Sequence, residues 1–149
     1  MTFRIAAGGV LILIAAGTLR TIGAPAVVSA QPPKSSWSGV YSDGQAKRGE
    51  ALYVENCAAC HTPDLTGGEL APPLTGPAFL ARWNNKALGE LFDYMRSAMP
   101  LNSPGGLDPQ QNADILAFML RKASYPVGQM DLPFQGGALN EIKLLATKP

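Results

Sequence analysis

Both cysteines and the only histidine of this chain fall within five consecutive residues, Cys57-Ala58-Ala59-Cys60-His61. The pattern C-x-x-C-H is typical of covalent c-type haem attachment. Two thiols at this spacing each add to a vinyl group of one porphyrin, and the adjacent imidazole binds the iron from beneath the ring. The pentapeptide constrains the fold more than any other feature, because the rest of the chain has to bury a large apolar ring.

Three other interpretations of the pentapeptide fit the sequence less well than haem attachment. A structural zinc site takes four Cys or His ligands, and the chain has three such residues. A thioredoxin-like redox pair also uses C-x-x-C, but the βαβ pattern that accompanies it is not found in this sequence. A structural disulfide between Cys57 and Cys60 would close a very short loop and restrain little of the unfolded chain.

The N-terminus has the pattern of a secretory signal peptide. Met1–Arg4 is followed by the uncharged stretch 5–19, and Val28-Ser29-Ala30 supplies small residues before Gln31. This pattern predicts a signal peptide over residues 1–30, cleaved after Ala30. The uncharged stretch is shorter than the roughly twenty residues that span a bilayer. We therefore expect a periplasmic protein, with an uncleaved membrane anchor as the alternative.

Charge and length set further limits on the mature chain. Loss of Arg4 and Arg20 leaves ten basic and eleven acidic side chains. This balance gives no basic face for nucleic acid, so nucleic acid is excluded as a partner. Residues 31–149 make one domain of ordinary size.

The local sequence pattern predicts a mostly helical domain. Three helices are expected from apolar spacing and capping residues: 45–56 after Asp43, 86–97 after Asn84 or Asn85, and 110–122 after Asp108-Pro109. Gly49, within the first helix, favours close approach of another helix over mere tolerance of a glycine at this position. The segments 31–42 and 62–76, rich in Gly, Pro, Ser and Thr, are expected to be irregular. The tail is expected to be mostly extended, with room for a short helix around 139–145.

A sixth iron ligand from this chain has to be something other than histidine, because His61 is the only histidine in the sequence. Methionine is the obvious ligand, and its thioether raises the reduction potential of the iron. Met99 is favoured because Pro100 places it in an extended loop from which it can reach the iron. Met95 lies four residues earlier, Met119 is expected in the core, and Met130 in the tail is not dismissed.

The chain resembles the class I (mitochondrial-type) c-type cytochromes, which are monohaem and mostly helical. The features that carry the resemblance are Gly49 and Tyr53, the CAACH site, Pro72 with Leu74 and Gly76, Met99-Pro100, and Ala117-Phe118. The resemblance implies an all-α cytochrome c-like fold, with three to four short helices wrapped around one covalently bound haem c. It also implies a cytochrome domain over 43–125, after an N-terminal tether 31–42 and before a C-terminal extension 126–149.

The resemblance assigns roles to further residues. It implies that the first and last helices cross, with Gly49 near Phe118 and Tyr53 alongside. It also implies that a proline carbonyl, by position that of Pro72 with Pro73 next in line, accepts the Nδ1 proton of the axial histidine. The haem pocket would further include Leu74, Met95 and Trp83, the last near a propionate; a plain core role for Trp83 is the alternative.

The leading hypothesis is a periplasmic one-electron carrier rather than an enzyme, either soluble or serving as the electron-transfer subunit of an oxidoreductase. The tail 125–133 is similar to the ends of small bacterial cytochromes and of cytochrome domains fused to quinone-cofactor (PQQ) dehydrogenases. The expected partners are redox proteins such as a periplasmic dehydrogenase or a terminal oxidase. The chain lacks the lysine-rich balance of mitochondrial cytochrome c, so a broad basic docking face is not expected. The alternative hypothesis is a small haem enzyme, or a gas or peroxide sensor, with a displaceable sixth ligand.

Overall fold

The computed structural model describes Thr2 and residues 34–149. The predicted signal peptide 1–30 and the first residues of the predicted tether lie outside this region, apart from Thr2. In the described part of the chain, the elements in order are β1 (Lys34–Ser35), α1 (Asp43–Asn56), α2 (Ala58–His61), α3 (Gly76–Trp83), α4 (Leu88–Ala98), α5 (Pro109–Lys122), α6 (Gly136–Leu139) and β2 (Ile142–Lys143). The expected mostly helical fold is confirmed. Across residues 34–149, no helix is both long and apolar enough to cross a membrane.

Helices α1 and α5 cross and form the main helix pair of the core. Gly49 makes this crossing close, because a Cβ atom at this position would collide with the backbone carbonyl of Asp114. One helical turn further along α5, the ring of Phe118 packs against Tyr53 with centroids 5.2 Å apart. The predicted close approach at Gly49 is therefore present, although its nearest neighbour is Asp114 rather than Phe118.

The capping residues agree with the sequence at one helix and differ at two. Asp108 caps α5, because its carboxylate accepts a hydrogen bond of 2.8 Å from the Gln111 N–H. Helix α1 is capped by Ser42 instead of Asp43; the Ser42 hydroxyl accepts from the Gln45 N–H at 3.0 Å, and Asp43 is the first helical residue. Helix α4 begins after Ala87.

The prediction of Asn84 or Asn85 as the α4 cap was wrong, because both residues have other roles. Asn84 ends α3, and its backbone N–H donates to the Leu80 carbonyl. Asn85 has a left-handed backbone with φ of 64° and donates its N–H to the Leu144 carbonyl at 2.7 Å. Two further residues, Lys86 and Ala87, therefore separate Asn85 from the first residue of α4.

The sequence predicts an irregular segment before α1, but residues 34–42 are packed on the domain and contain regular structure. Strand β1 pairs in parallel with β2, and one 3₁₀ turn, Ser36–Ser38, follows it. Tyr41 is fully buried and donates its hydroxyl to the Tyr125 carbonyl at 2.7 Å. The short helix expected around 139–145 lies earlier, as α6, and β2 occupies part of the expected range.

Candidate haem-binding site

The CAACH pentapeptide forms one turn of helix directly after α1. Cys57 ends α1, where its N–H donates to the Tyr53 carbonyl at 2.9 Å, and it also begins α2. The N–H groups of Cys60 and His61 both donate to the Cys57 carbonyl, at 3.1 and 2.9 Å. Residues three apart on a helix lie on the same side. This turn therefore presents the two thiols together, with His61 next to them.

The two cysteines are free thiols in different environments. Cys60 is exposed, whereas Cys57 is partly buried and packs against the apolar core. Burial raises the pKa of the Cys57 thiol to about 11, and the neighbouring Cys60 adds to this effect. A neutral thiol at the edge of the core suits contact with an apolar group such as a porphyrin vinyl.

His61 is held in one orientation by a backbone carbonyl. Its side chain is buried, with 8% relative exposure, and its Nδ1 lies 2.8 Å from the Pro72 carbonyl oxygen. Because a carbonyl oxygen only accepts hydrogen bonds, Nδ1 carries the proton. In the neutral ring Nε2 is then the unprotonated nitrogen, which is the atom that binds a metal. The hydrogen bond implied by the class I resemblance is thus present.

The loop between α2 and α3 folds back so that Pro72 reaches His61. The Tyr53 hydroxyl donates to the Thr62 carbonyl at 2.7 Å, and the Leu74 N–H donates to the Leu65 carbonyl at 2.9 Å. Leu65, within this loop, is fully buried. Burial raises the pKa of Tyr53 above its usual value, so its hydroxyl stays protonated and keeps donating.

Gly67 makes the close approach of this loop possible. It has a left-handed φ of 71°, and a Cβ atom here would collide with the backbone of Pro72 and Pro73. The sequence showed Gly67-Gly68 as loop residues but gave no sign of this specific role. The fully buried Leu65 was also missed, because the leucines of this loop, at positions 65, 70 and 74, follow no periodicity that shows which of them is buried.

Met99 has the extended backbone that its predicted role requires. It follows the last residue of α4 with φ of −126° and ψ of 154°, and its N–H donates to the Met95 carbonyl at 3.0 Å. Met95 and Met119 lie within helices and are buried, at 9% and 4% exposure, whereas Met130 is 75% exposed in the tail. Of these four methionines, Met99 alone is both partly accessible and directly after a helix.

Trp83 lies among aromatic rings and unpaired positive charges. It is buried, and its ring centroid lies 5.7 Å from that of Tyr94. The Arg82 guanidinium lies 5.1 Å from the Trp83 centroid and 4.7 Å from that of Tyr94, and the Lys86 ammonium lies 5.3 Å from Trp83. Within residues 34–149, neither cation forms a salt bridge, and both would complement a carboxylate.

The remaining predicted pocket residues occupy the loop and core around the same elements. Leu74, like Cys57, is partly buried and packs against the buried core that contains Trp83 and Met95. Pro73 is partly buried and follows the carbonyl that holds His61. Taken together, two free thiols, an oriented imidazole and an apolar surround fit the covalent haem that the motif predicts.

The comparisons with known proteins settle the family. Residues 44–119, just over half of the chain, match the family described as cytochrome C oxidase, cbb3-type, subunit III. The chain belongs to this cytochrome c family. The predicted class I relationship is confirmed, and membership implies electron transfer through covalently attached haem c.

Two curated proteins and one solved structure are similar to this cytochrome. A cytochrome c from Guizotia abyssinica is 30% identical over 98 residues, which cover 51% of this chain and 88% of that protein. A thiosulfate dehydrogenase from Allochromatium vinosum is 36% identical over 81 residues, 48% of this chain and 29% of that protein. The cytochrome thus aligns with less than a third of that enzyme. The sulfane dehydrogenase SoxCD from Paracoccus pantotrophus matches with a TM-score of 0.49 and 23% identity, over 85% of this chain and 67% of that one.

Proposed function

We propose that this cytochrome is an exported one-electron carrier with one haem c, whose iron is bound by His61 and Met99. The observation that carries the proposal is the 2.8 Å contact between His61 Nδ1 and the Pro72 carbonyl oxygen. His61 lies on the same helical turn as the two free thiols. Such a turn has the three groups that haem c attachment uses, and the imidazole is already in the metal-binding tautomer.

Each residue of the site has a separate task in this proposal. When bound, haem c supplies the ferric–ferrous couple. Cys57 and Cys60 would hold it through two thioether links, the products of adding each thiol S–H across a vinyl double bond. The Pro72 carbonyl keeps the His61 ring in one orientation and increases its basicity. Arg82 and Lys86, beside Trp83, supply positive charge for the propionates.

Met99 is the proposed sixth ligand because of its place in the backbone. Its backbone is extended directly after α4, whereas Met95 and Met119 lie within helices. With His61 and Met99 as its two protein ligands, the iron would have no open position for a substrate. A thioether ligand also stabilises the ferrous state and raises the reduction potential.

The location and partners are proposed from sequence and similarity. The pattern of residues 1–30 supports export, and haem attachment of this type takes place outside the bacterial cytoplasm. The family description names an oxidase subunit, and one relative is a thiosulfate dehydrogenase. Both support a redox protein, a dehydrogenase or a terminal oxidase, as the partner. N-terminal sequencing of the protein from a periplasmic fraction tests the export step, and we expect a start at Gln31.

The function is tested by potentiometric titration of the purified holoprotein. We expect covalent haem, a single one-electron transition in the wild type, and a lower midpoint potential in Met99→Ala. The control is Met130→Ala, whose side chain is largely exposed; we expect its potential to equal that of the wild type. Absence of covalent haem would refute the proposal. A high-spin ferric wild type that Met99→Ala leaves unchanged would favour a haem enzyme or a gas or peroxide sensor instead.

A further inference from the structure

Residues 139–146, which we call the C-terminal clasp, run along the corner between α3 and α4. The Asn85 N–H donates to the Leu144 carbonyl at 2.7 Å, and the Leu144 N–H donates to the Lys86 carbonyl at 2.9 Å. The Ala146 N–H donates to the Asn84 side-chain oxygen at 2.8 Å. Three hydrogen bonds therefore connect the clasp to the turn that leads from Trp83 into α4.

The clasp is itself held from the other side by the N-terminal segment and by Tyr125. Strand β2, within the clasp, pairs in parallel with β1. The Trp37 indole N–H and the Tyr125 hydroxyl both donate to the Leu145 carbonyl at 2.9 Å. The Leu145 N–H donates to the Ser36 hydroxyl at 3.1 Å. With partners on both sides, the clasp is a fixed support for the corner.

Side chains of the clasp reach into the helical core. Leu139, Ile142 and Leu144 are buried, with 0%, 4% and 1% exposure. Leu144 lines a small apolar cavity together with Phe79 of α3, Leu91 of α4 and Leu116 of α5. The first turn of α4 also packs closely on the clasp, because a Cβ atom at Gly89 would collide with the Asn140 side chain.

The elements that the clasp holds are those that carry the proposed sixth ligand. Helix α4 begins at the clasp and ends one residue before Met99. A helix of this length is about 16 Å long and moves as a rigid unit, so displacement of its first turn also displaces its last. We propose that the C-terminal clasp is a positioning element that keeps Met99 on the haem iron. This inference rests on the proposed ligation by Met99.

The clasp lies outside the segment that matches the family, which ends at residue 119. The matched region already contains α4 and Met99, so the clasp adds a support to the ligand-bearing helix from beyond that region. Its role is to position the ligand, and none of its residues needs to contact the haem. The proposal therefore predicts that changes in the clasp alter the strength of sixth-ligand binding in an otherwise folded cytochrome.

The test is a titration of ferric holoprotein with imidazole, which competes with Met99 for the iron. Loss of the near-infrared sulfur-to-iron charge-transfer band reports displacement. The first variant is Leu144→Ala, and its control is Leu132→Ala, which removes an equally buried leucine of the tail. Both Leu132 and Leu144 have 1% exposure, but the Leu132 backbone pairs with Gln45 of α1, at 3.0 and 2.6 Å.

A second pair of variants guards against a simple failure to fold. Gly89→Ala places a methyl group against the Asn140 side chain and 3.2 Å from the Asn140 backbone nitrogen, so rotation of that side chain alone does not relieve the contact. Gly44→Ala, also at the second position of its helix, meets only the Ser42 hydroxyl at 3.8 Å. Alanine is intrinsically better than glycine in a helix. A weaker hold on Met99 in Gly89→Ala therefore cannot come from lost helix propensity.

We expect Leu144→Ala and Gly89→Ala to bind imidazole about fivefold or more tightly than the wild type. The controls Leu132→Ala and Gly44→Ala should stay within about twofold of it. Equal imidazole affinity in each variant and its control would overturn the clasp proposal while leaving Met99 ligation intact. A wild type that lacks the sulfur-to-iron band would overturn both. If Leu144→Ala yields no folded holoprotein, Gly89→Ala against Gly44→Ala decides.

Discussion

At the scale of single residues, Gly67 controls how close Pro72 comes to His61. Its left-handed backbone allows the loop to turn back, and its missing side chain leaves room for the backbone of Pro72 and Pro73. The hydrogen bond to His61 Nδ1 depends on that approach. This role depends on the folded geometry of the loop. The sequence shows two adjacent glycines but does not indicate which of them needs the left-handed backbone.

Gly67→Ala should therefore destabilise the holoprotein and weaken the His61–Pro72 hydrogen bond. A left-handed conformation costs an alanine about 1–2 kcal/mol, and the collision with the prolines adds to this cost. Denaturant unfolding measures the stability, and NMR of the reduced protein measures exchange of the His61 Nδ1 proton, which should become faster. The control is Gly68→Ala, because a Cβ atom at Gly68 meets only the Thr62 methyl at 3.9 Å. A control that is as destabilised as Gly67→Ala would contradict this account.

The site residues show what sequence reasoning supplies at this scale. The motif predicts haem attachment at Cys57 and Cys60 and iron binding by His61, because two thiols and an imidazole at this spacing have few other uses. The class I resemblance pointed to Pro72, and the structure contains that contact. The supporting residues Leu65 and Gly67 were missed because their roles exist only once the loop has folded.

At the scale of elements, the contact between α1 and α5 organises the core. Its closest point is Gly49 against the backbone of Asp114 and Ile115. A backbone neighbour cannot rotate away as a side chain can, so the contact tolerates no added atom. The Tyr53 ring, one turn further along α1, packs on Phe118 and donates its hydroxyl to the loop that leads to Pro72. The helix crossing therefore also supports the haem-binding loop.

We expect Gly49→Ala to lower the free energy of unfolding by about 2 kcal/mol, because overpacking outweighs the gain in helix propensity. Gly44→Ala, in the first turn of the same helix, should be neutral or slightly stabilising. Thermal or denaturant unfolding of both holoproteins checks this. Equal stability of the two variants would show that the helices do not meet closely at Gly49.

The elements were predicted unevenly from the sequence, for physical reasons. Helix α5 has a capping box, Pro109 in its first turn and a long apolar face, and its prediction was accurate. Helix α3 was missed because Gly76-Pro77 reads as a loop, although Pro in a first turn also begins helices. The segment 34–42 was expected to be irregular. Its packing was missed because its hydrogen-bond partners lie about a hundred residues away in the tail, where local sequence patterns give no sign of them.

At the scale of the whole molecule, ion pairs join the tail to the helical core. Arg48 of α1 pairs with Asp114 of α5 at 2.9 Å and with Asp131 of the tail at 2.7 Å. The Ser42 hydroxyl also donates to Asp131. Hydrogen bonds from Ser42 and Arg48 hold the pKa of Asp131 below its usual value. The carboxylate form of Asp131 is therefore favoured by folding.

This linkage predicts an acid dependence of stability. Because the folded pKa of Asp131 is lowered, its contribution is complete above the unfolded pKa of about 3.9 and is lost as the pH falls through the folded value. We expect Asp131→Asn to reduce the stability of the holoprotein near neutral pH and to flatten its fall with acid. Denaturant unfolding at a series of pH values measures both. Glu55→Gln, an exposed carboxylate outside this network, is the control; an Asp131→Asn curve that runs parallel to the wild type would argue against the linkage.

The central claim is that one covalent haem carries the electron and that His61 and Met99 both bind its iron. Near-infrared magnetic circular dichroism of the ferric holoprotein tests it most directly, because the sulfur-to-iron charge-transfer band reports a bound thioether. We predict that the band is present in the wild type and in Met130→Ala and is lost in Met99→Ala. A band that persists in Met99→Ala, or a wild type without one, would contradict the account.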